Sequence, residues 1–142
     1  MKQKLVLIGK GMAGVRALEE LFKHNTSDGK GSDQYDITVI GAEPHPNYNR
    51  IMLSPVLAGE QTIDDIILNS LEWYEENNIT LVTGDAATEI YRVKRSVITE
   101  SGKEFPYDRL LIATGSNPFL IPIPGADKEW CLCFRDFYDF LT

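Results

Sequence analysis

The sequence predicts an α/β fold in which a parallel sheet with helices carries a small antiparallel β-meander. Three observations predict it. An apolar run, a glycine-rich turn and a helix-periodic segment follow one another directly at the start, and a second, β-branched run comes next. From Thr88 onward the pattern changes to short β-like runs separated by turn residues. The 142 residues amount to about one domain's worth of chain. With 43% hydrophobic, 10% aromatic and 25% charged residues, the composition is that of an ordinary globular protein, which sets aside disorder and fibrous structure.

Lys4 to Ile8 reads as the first strand and Gly9 to Gly14 as the turn. In the helix that follows, Val15, Leu18, Leu21 and Phe22 share one face. Asn25 to Gln34 is polar and glycine-bearing, a surface loop or a short linker. Tyr35 to Gly41 is the second strand, with Glu43 just beyond its carboxyl end. Pro44 to Asn49 reads as an irregular loop, and Ile51 to Leu57 as a short helix interrupted by Pro55. Asp64 to Asn77 is predicted as one helix, with Ile67, Leu68, Leu71 and Tyr74 in period and Asn77-Asn78 closing it. Tyr74 and its neighbour Trp73 are expected in the core. Ile79 to Val82 is a third strand.

Thr88 to Arg92, Ser96 to Thr99 and Glu104 to Tyr107 are the runs of the meander, divided by Lys94-Arg95 and Ser101-Gly102. Arg109 to Ala113 reads as a buried strand, and Pro118 to Pro124 cannot be spanned by a regular element. There is no internal repeat.

Several function classes recede at this point. No apolar run approaches the roughly 20 residues that cross a bilayer, and the start lacks the apolar stretch of a signal peptide. Asp and Glu outnumber Lys and Arg by 21 to 14, and a net charge of −7 without a visible basic face argues against nucleic acid. Cys131 and Cys133 are too few for a disulfide scaffold, and their spacing is wrong for Cys-x-x-Cys chemistry. A reducing, cytoplasmic setting and buried, apolar cysteines are expected, with oxidation or metal binding as the alternative. His24 ends a helix and His45 lies between two prolines, with no third ligand at metal-site spacing. No catalytic side chain and no metal site are expected.

Gly9-Lys10-Gly11-Met12-Ala13-Gly14 is a G-x-G-x-x-G run between a strand and a helix, the context in which it binds dinucleotides. The first Gly permits the tight turn, the second lets the backbone approach a pyrophosphate, and the third allows close helix-to-strand packing. The phosphates then meet unpaired N–H groups at the positive end of the helix. A glycine-rich turn without a ligand is the alternative. Glu43 is the acid expected to accept ribose hydroxyls of an adenosine, or else a solvated strand-end carboxylate. It follows the motif at more than the usual spacing of ~20 residues, and the polar stretch Asn25 to Gln34 accounts for the excess. An acid here repels a 2′-phosphate, which favours NAD or FAD over NADP. Arg50 is either a phosphate partner or a surface cation.

With these residues and Ala113-Thr114-Gly115, the chain resembles, nearly end to end, the amino-terminal FAD-binding part of the pyridine nucleotide-disulfide oxidoreductase superfamily. Tyr107 to Pro118 is similar to that family's second flavin signature, a strand ending in A-T-G. Tyr48 to Leu57 most resembles the NAD(P)H-dependent nitrite reductase large subunits and their rubredoxin-reductase-like relatives. This region has no redox cysteine pair, which separates it from the disulfide-reducing members. Pro55 follows Ser54 where ferredoxin-reductase-like members carry a Lys.

The resemblance implies a Rossmann-like FAD-binding fold, of which this is the amino-terminal portion. It implies that Gly9, Gly11, Met12, Ala13 and Gly14 line the FAD pyrophosphate and that Glu43 holds the adenosine ribose. Arg50 and Ser54 are implied near the pyrophosphate and ribityl chain, Ala87 at the adenine, and Ala113, Thr114 and Gly115 closing over the cofactor. Residues 1–125 then belong to the FAD-binding domain, and residues 126–142 cross over toward a further, NAD-binding domain. The second glycine motif, the later Gly-Asp signature and the cluster cysteines of such proteins are not in these residues. The implied parent passes electrons from NAD(P)H through FAD to an iron-sulfur cluster and sirohaem. The alternatives are a rubredoxin- or ferredoxin-reductase-type enzyme and a stand-alone nucleotide-binding module. The expected partners are FAD and the remaining domains of the parent chain. The sequence sets no oligomeric state.

Overall fold

Alternation of large apolar residues with period two fixes where the first strands face. In the computed structural model, which describes residues 1–24 and 34–140, β1 (Gln3–Ile8) lies between β2 (Tyr35–Ile40) and β7 (Arg109–Ile112), and β3 (Ile79–Val82) flanks β2. All three pairings are parallel, with Leu7 opposite both Val39 and Leu111. The inserted stretch read as a loop lies almost wholly outside the described residues.

Leu7, Ile37, Val39 and Ile79 face one way and form a core with Leu18 of α1 (Met12–His24) and Tyr74 of α4 (Leu71–Glu76). Val6, Ile8 and Ile40 face the other way and pack on Val97. Val97 belongs to the meander of β4 (Ala87–Tyr91), β5 (Ser96–Thr99) and β6 (Glu104–Pro106), which is antiparallel in the order predicted. The result is three layers: helices, parallel sheet, small antiparallel sheet.

Four expectations are corrected. The helix read over Asp64 to Asn77 is two helices, α3 (Ile63–Ile66) and α4, because Ile67 turns out of helical geometry at ψ 127°. Asn47 and Ser70 cause the break: the Asn47 carbonyl accepts the Leu68 N–H at 3.0 Å, and Ser70 Oγ caps Trp73 N–H at 3.4 Å. Pro55 does not interrupt its helix. It sits in the first turn of α2 (Leu53–Leu57), directly after a one-turn 3-10 helix (Arg50–Met52), where a missing N–H costs nothing. Among the described residues β7 is an edge strand rather than a buried one, with Ile112 57% exposed. Cys131 is exposed and Cys133 half-buried, so neither is a core cysteine. Trp73 and Tyr74 do pack in the core, ring against ring.

Among the described residues no helix is long and apolar enough to cross a membrane. Among these same described residues, no group of three or more His, Cys, Asp or Glu could hold a metal ion.

Candidate functional site

The strand order β3-β2-β1-β7 reverses direction at β1, since the chain leaves β1 toward β2 on one side and returns to β7 on the other. In an open parallel sheet, such a switch point leaves a crevice beyond the carboxyl ends of the strands. Here it holds a cavity of about 460 Å³ lined from Ile8 to Ala13, from Ile40 to Glu43, and by Asn47, Tyr48, Arg50, Ala86, Ala87, Ala113, Thr114, Gly115 and Arg135.

One wall is backbone. Gly9 takes φ +98°, and a Cβ on it would fall 2.2 Å from the Ala113 carbonyl oxygen, so the ends of β1 and β7 touch there. A Cβ on Gly14 would fall 2.6 Å from the Gly9 oxygen and 3.1 Å from Leu7 Cδ1. Gly14 therefore seats α1 on the sheet and does not line the cavity. A Cβ on Gly11 would meet nothing within 4 Å, so that position opens onto free space. Immediately afterwards α1 begins, with no acidic residue in its first turn.

The opposite wall is made of side chains. Glu43 pairs with Arg50 (Oε1 to Nη2, 3.5 Å), and the Arg50 guanidinium lies 5.5 Å from the Tyr48 ring centre. Among the described residues, Glu43 Oε2 and Tyr48 Oη are buried with no hydrogen-bond partner. Burial pushes the Tyr48 phenol well up, and the adjacent Glu43 carboxylate adds to the shift. Arg50 also donates to the Arg135 carbonyl, while Arg135 Nε donates to Ser116 O at 3.2 Å. The C-terminal segment is thereby brought back over the mouth of the cavity, and His45 meets the Phe137 ring edge-on at 4.8 Å.

A buried relay holds the loop that carries this wall. Tyr74 Oη donates to Asn47 Oδ1 at 2.6 Å, Asn47 Nδ2 to Asn69 Oδ1 at 2.7 Å, and Asn69 Nδ2 to Glu19 Oε1 at 3.0 Å. Asn49 N–H donates to Ile66 O at 2.8 Å. On the third side, Asp85 accepts the Ser101 N–H at 2.9 Å and its hydroxyl at 2.6 Å, which holds the Asp85 carboxyl below the usual carboxylate range. This clasp fixes Ala86 and Ala87 at the cavity edge.

Of the residues singled out in the sequence, Gly9, Gly11, Met12, Ala13, Glu43, Arg50, Ala87, Ala113, Thr114 and Gly115 are brought together here. Gly14 lies beneath the floor, and Ser54 is exposed on α2 and does not reach the cavity. Sequence reasoning missed Lys10, Asn47, Tyr48 and Arg135. Lys10 sits inside the motif itself, but the motif constrains its glycines only. Arg135 lies 85 residues from the Arg50 it meets, and nothing local to it signals the contact.

Residues 3–139 match the family described as pyridine nucleotide-disulphide oxidoreductase. The chain belongs to that family. It is 51% identical over 138 residues to nitrite reductase [NAD(P)H] of Bacillus subtilis (strain 168), covering 97% of this chain and 16% of that protein. It is 49% identical to the assimilatory nitrate reductase electron transfer subunit of the same strain, covering 97% of this chain and 17% of the relative. The crystal structure of NADH:rubredoxin oxidoreductase from Clostridium acetobutylicum superposes with a TM-score of 0.81 at 32% identity, over 99% of this chain and 34% of that one. The chain thus spans about one-sixth of the length of the first two relatives.

Proposed function

We propose that the cavity binds the ADP half of FAD and that the chain is part of an NAD(P)H-dependent flavoprotein oxidoreductase of the nitrite reductase type. The observation that carries the reading is a pair of features lining the same cavity: open space at Gly11 and the buried Glu43 Oε2, which has no hydrogen-bond partner among the described residues. A diphosphate fits the first and a ribose hydroxyl, which must donate, fits the second. Gly9, Gly11, Met12 and Ala13 with the start of α1 line the pyrophosphate, Arg50 and Arg135 supply cations to it, and Glu43 holds the ribose. Ala87 borders the adenine, and Ala113, Thr114 and Gly115 close the floor, with Gly14 holding the helix in place. Ser54 stands outside this arrangement. When bound, FAD supplies hydride acceptance and one-electron release, chemistry that asks little of protein side chains.

Residues 1–125 then form part of the FAD-binding domain and residues 126–142 the crossover, with Arg135 reaching back. The parent, in the cytoplasm, passes electrons from NAD(P)H through FAD to an iron-sulfur and sirohaem centre. The identity to the nitrate reductase electron transfer subunit nearly equals that to nitrite reductase, which favours a second reading with a different acceptor. A rubredoxin- or ferredoxin-reductase-type parent belongs to this second reading.

The test uses the full-length protein. Purified, it is expected to show flavin absorbance bands and to oxidise NAD(P)H when nitrite is added. Oxidation with a rubredoxin- or ferredoxin-type protein but not with nitrite selects the second reading. A purified protein that neither holds nor takes up FAD overturns both.

A further inference from the structure

Lys10 is the first variable residue of the glycine motif, and its side chain is buried to 7% exposure. Its stem runs across Gly41 at the end of β2: a Cβ on Gly41 would fall 2.5 Å from each of Lys10 Cγ, Cδ and Cε. The chain thus leaves room at Gly41 for a lysine that enters the cavity wall. Burying an ammonium is expensive unless something pairs with it. Among the described residues its ammonium has no hydrogen bond and no ion pair within 4.0 Å. The other two cations of the cavity are engaged, Arg50 with Glu43 and the Arg135 carbonyl, and Arg135 with Ser116.

We propose that Lys10 is a ligand-binding residue of this cavity, whose buried ammonium pairs with the diphosphate of an adenine nucleotide. The proposal rests on the nucleotide reading above and goes beyond the glycine motif, which contributes only backbone N–H groups. Three cations against one carboxylate make the cavity positive, matched to the negative charge of a diphosphate.

The charged and titratable groups around Lys10 are Glu43, Tyr48 and Arg50 beyond β2 and Arg135 on the returning C-terminal segment, while His45 is turned onto Phe137. Burial lowers the Lys10 ammonium below the usual lysine value, with Glu43 pulling it up and Arg50 down. Binding an anion raises it again. Affinity for ADP is therefore full below the lowered value of the free site and falls as pH rises through the value of the occupied site.

The experiment titrates the apoprotein of the full-length chain with ADP and, separately, with adenosine, for the wild type, Lys10→Met and Lys10→Arg. Lys10→Met is expected to weaken ADP roughly tenfold or more, to leave adenosine unchanged, and to abolish the alkaline loss of ADP affinity. Lys10→Arg, charged throughout, is expected to retain ADP affinity without the alkaline loss. Equal weakening of ADP and adenosine by Lys10→Met, or no weakening, overturns the role of Lys10 while the nucleotide site stands. A wild type that binds neither ligand overturns the nucleotide reading itself.

Discussion

The glycine wall of the cavity and its charged wall are built in opposite ways. The first is local: Gly9 and Gly11 lie two residues apart with Gly14 just behind them in α1, and their roles follow from what a Cβ would or would not meet. The second gathers Lys10, Glu43, Tyr48, Arg50 and Arg135 from the whole length of the chain, and all but Lys10 are held by contacts that run through Arg50. A wall of backbone tolerates almost no added atoms but needs no charge balance. A wall of charges tolerates changes of shape but is sensitive to the loss of any partner, because a buried charge left alone is costly.

Substitutions can break this contrast. Gly9→Ala, at φ +98° and against the Ala113 carbonyl, is expected to destabilise the fold by about 3 kcal/mol, read as a lower urea midpoint. Gly11→Val places its Cβ where nothing lies within 4 Å and is expected to leave the midpoint almost unchanged. It should nonetheless weaken FAD by roughly a hundredfold, about 2.7 kcal/mol, in a fluorescence titration. Glu43→Gln, on the charged wall, keeps the shape but loses the negative charge, one of the two acceptor oxygens offered to the ribose, and the Arg50 ion pair. About a tenfold weakening of FAD is expected, with the fold retained.

Tyr74→Phe is the mildest change. It removes the hydrogen bond to Asn47 that steadies the loop, for about 1 kcal/mol of stability. Burial holds both the Tyr48 and Tyr74 phenols protonated in the fold well beyond the ordinary value of about 10. Each phenol's contribution to stability is therefore full below that value and is lost as pH rises above it, because the unfolded chain releases its protons first. Tyr74→Phe should flatten that alkaline loss in urea titrations across the range.

What was legible in the sequence follows the same division. The strand, turn and helix at the start, the acid after the second strand and the meander all obey rules that act over a few residues, and they appear in the structure. Contacts between distant segments did not announce themselves. The helix expected over Asp64 to Asn77 is broken because the Asn47 carbonyl, 21 residues before Leu68, captures its N–H. Apolar periodicity carries no trace of that contact. Arg109 to Ala113 is apolar enough to read as buried, but burial depends on which strands flank it, and β7 has a neighbour on one side only among the described residues. Lys10 was hidden because the motif is read by its glycines, although Gly41, a glycine closing the second strand, marks the space its stem occupies.

The central claim is that both walls close on one ligand, the ADP portion of FAD. Competition tests it most directly: FAD uptake by the apoprotein of the full-length chain, measured with increasing ADP and, in parallel, with increasing riboflavin, which lacks the diphosphate and the adenosine. The account predicts that ADP displaces FAD in a saturable way and that riboflavin at the same concentrations does so far less. FAD uptake that is indifferent to saturating ADP would contradict it.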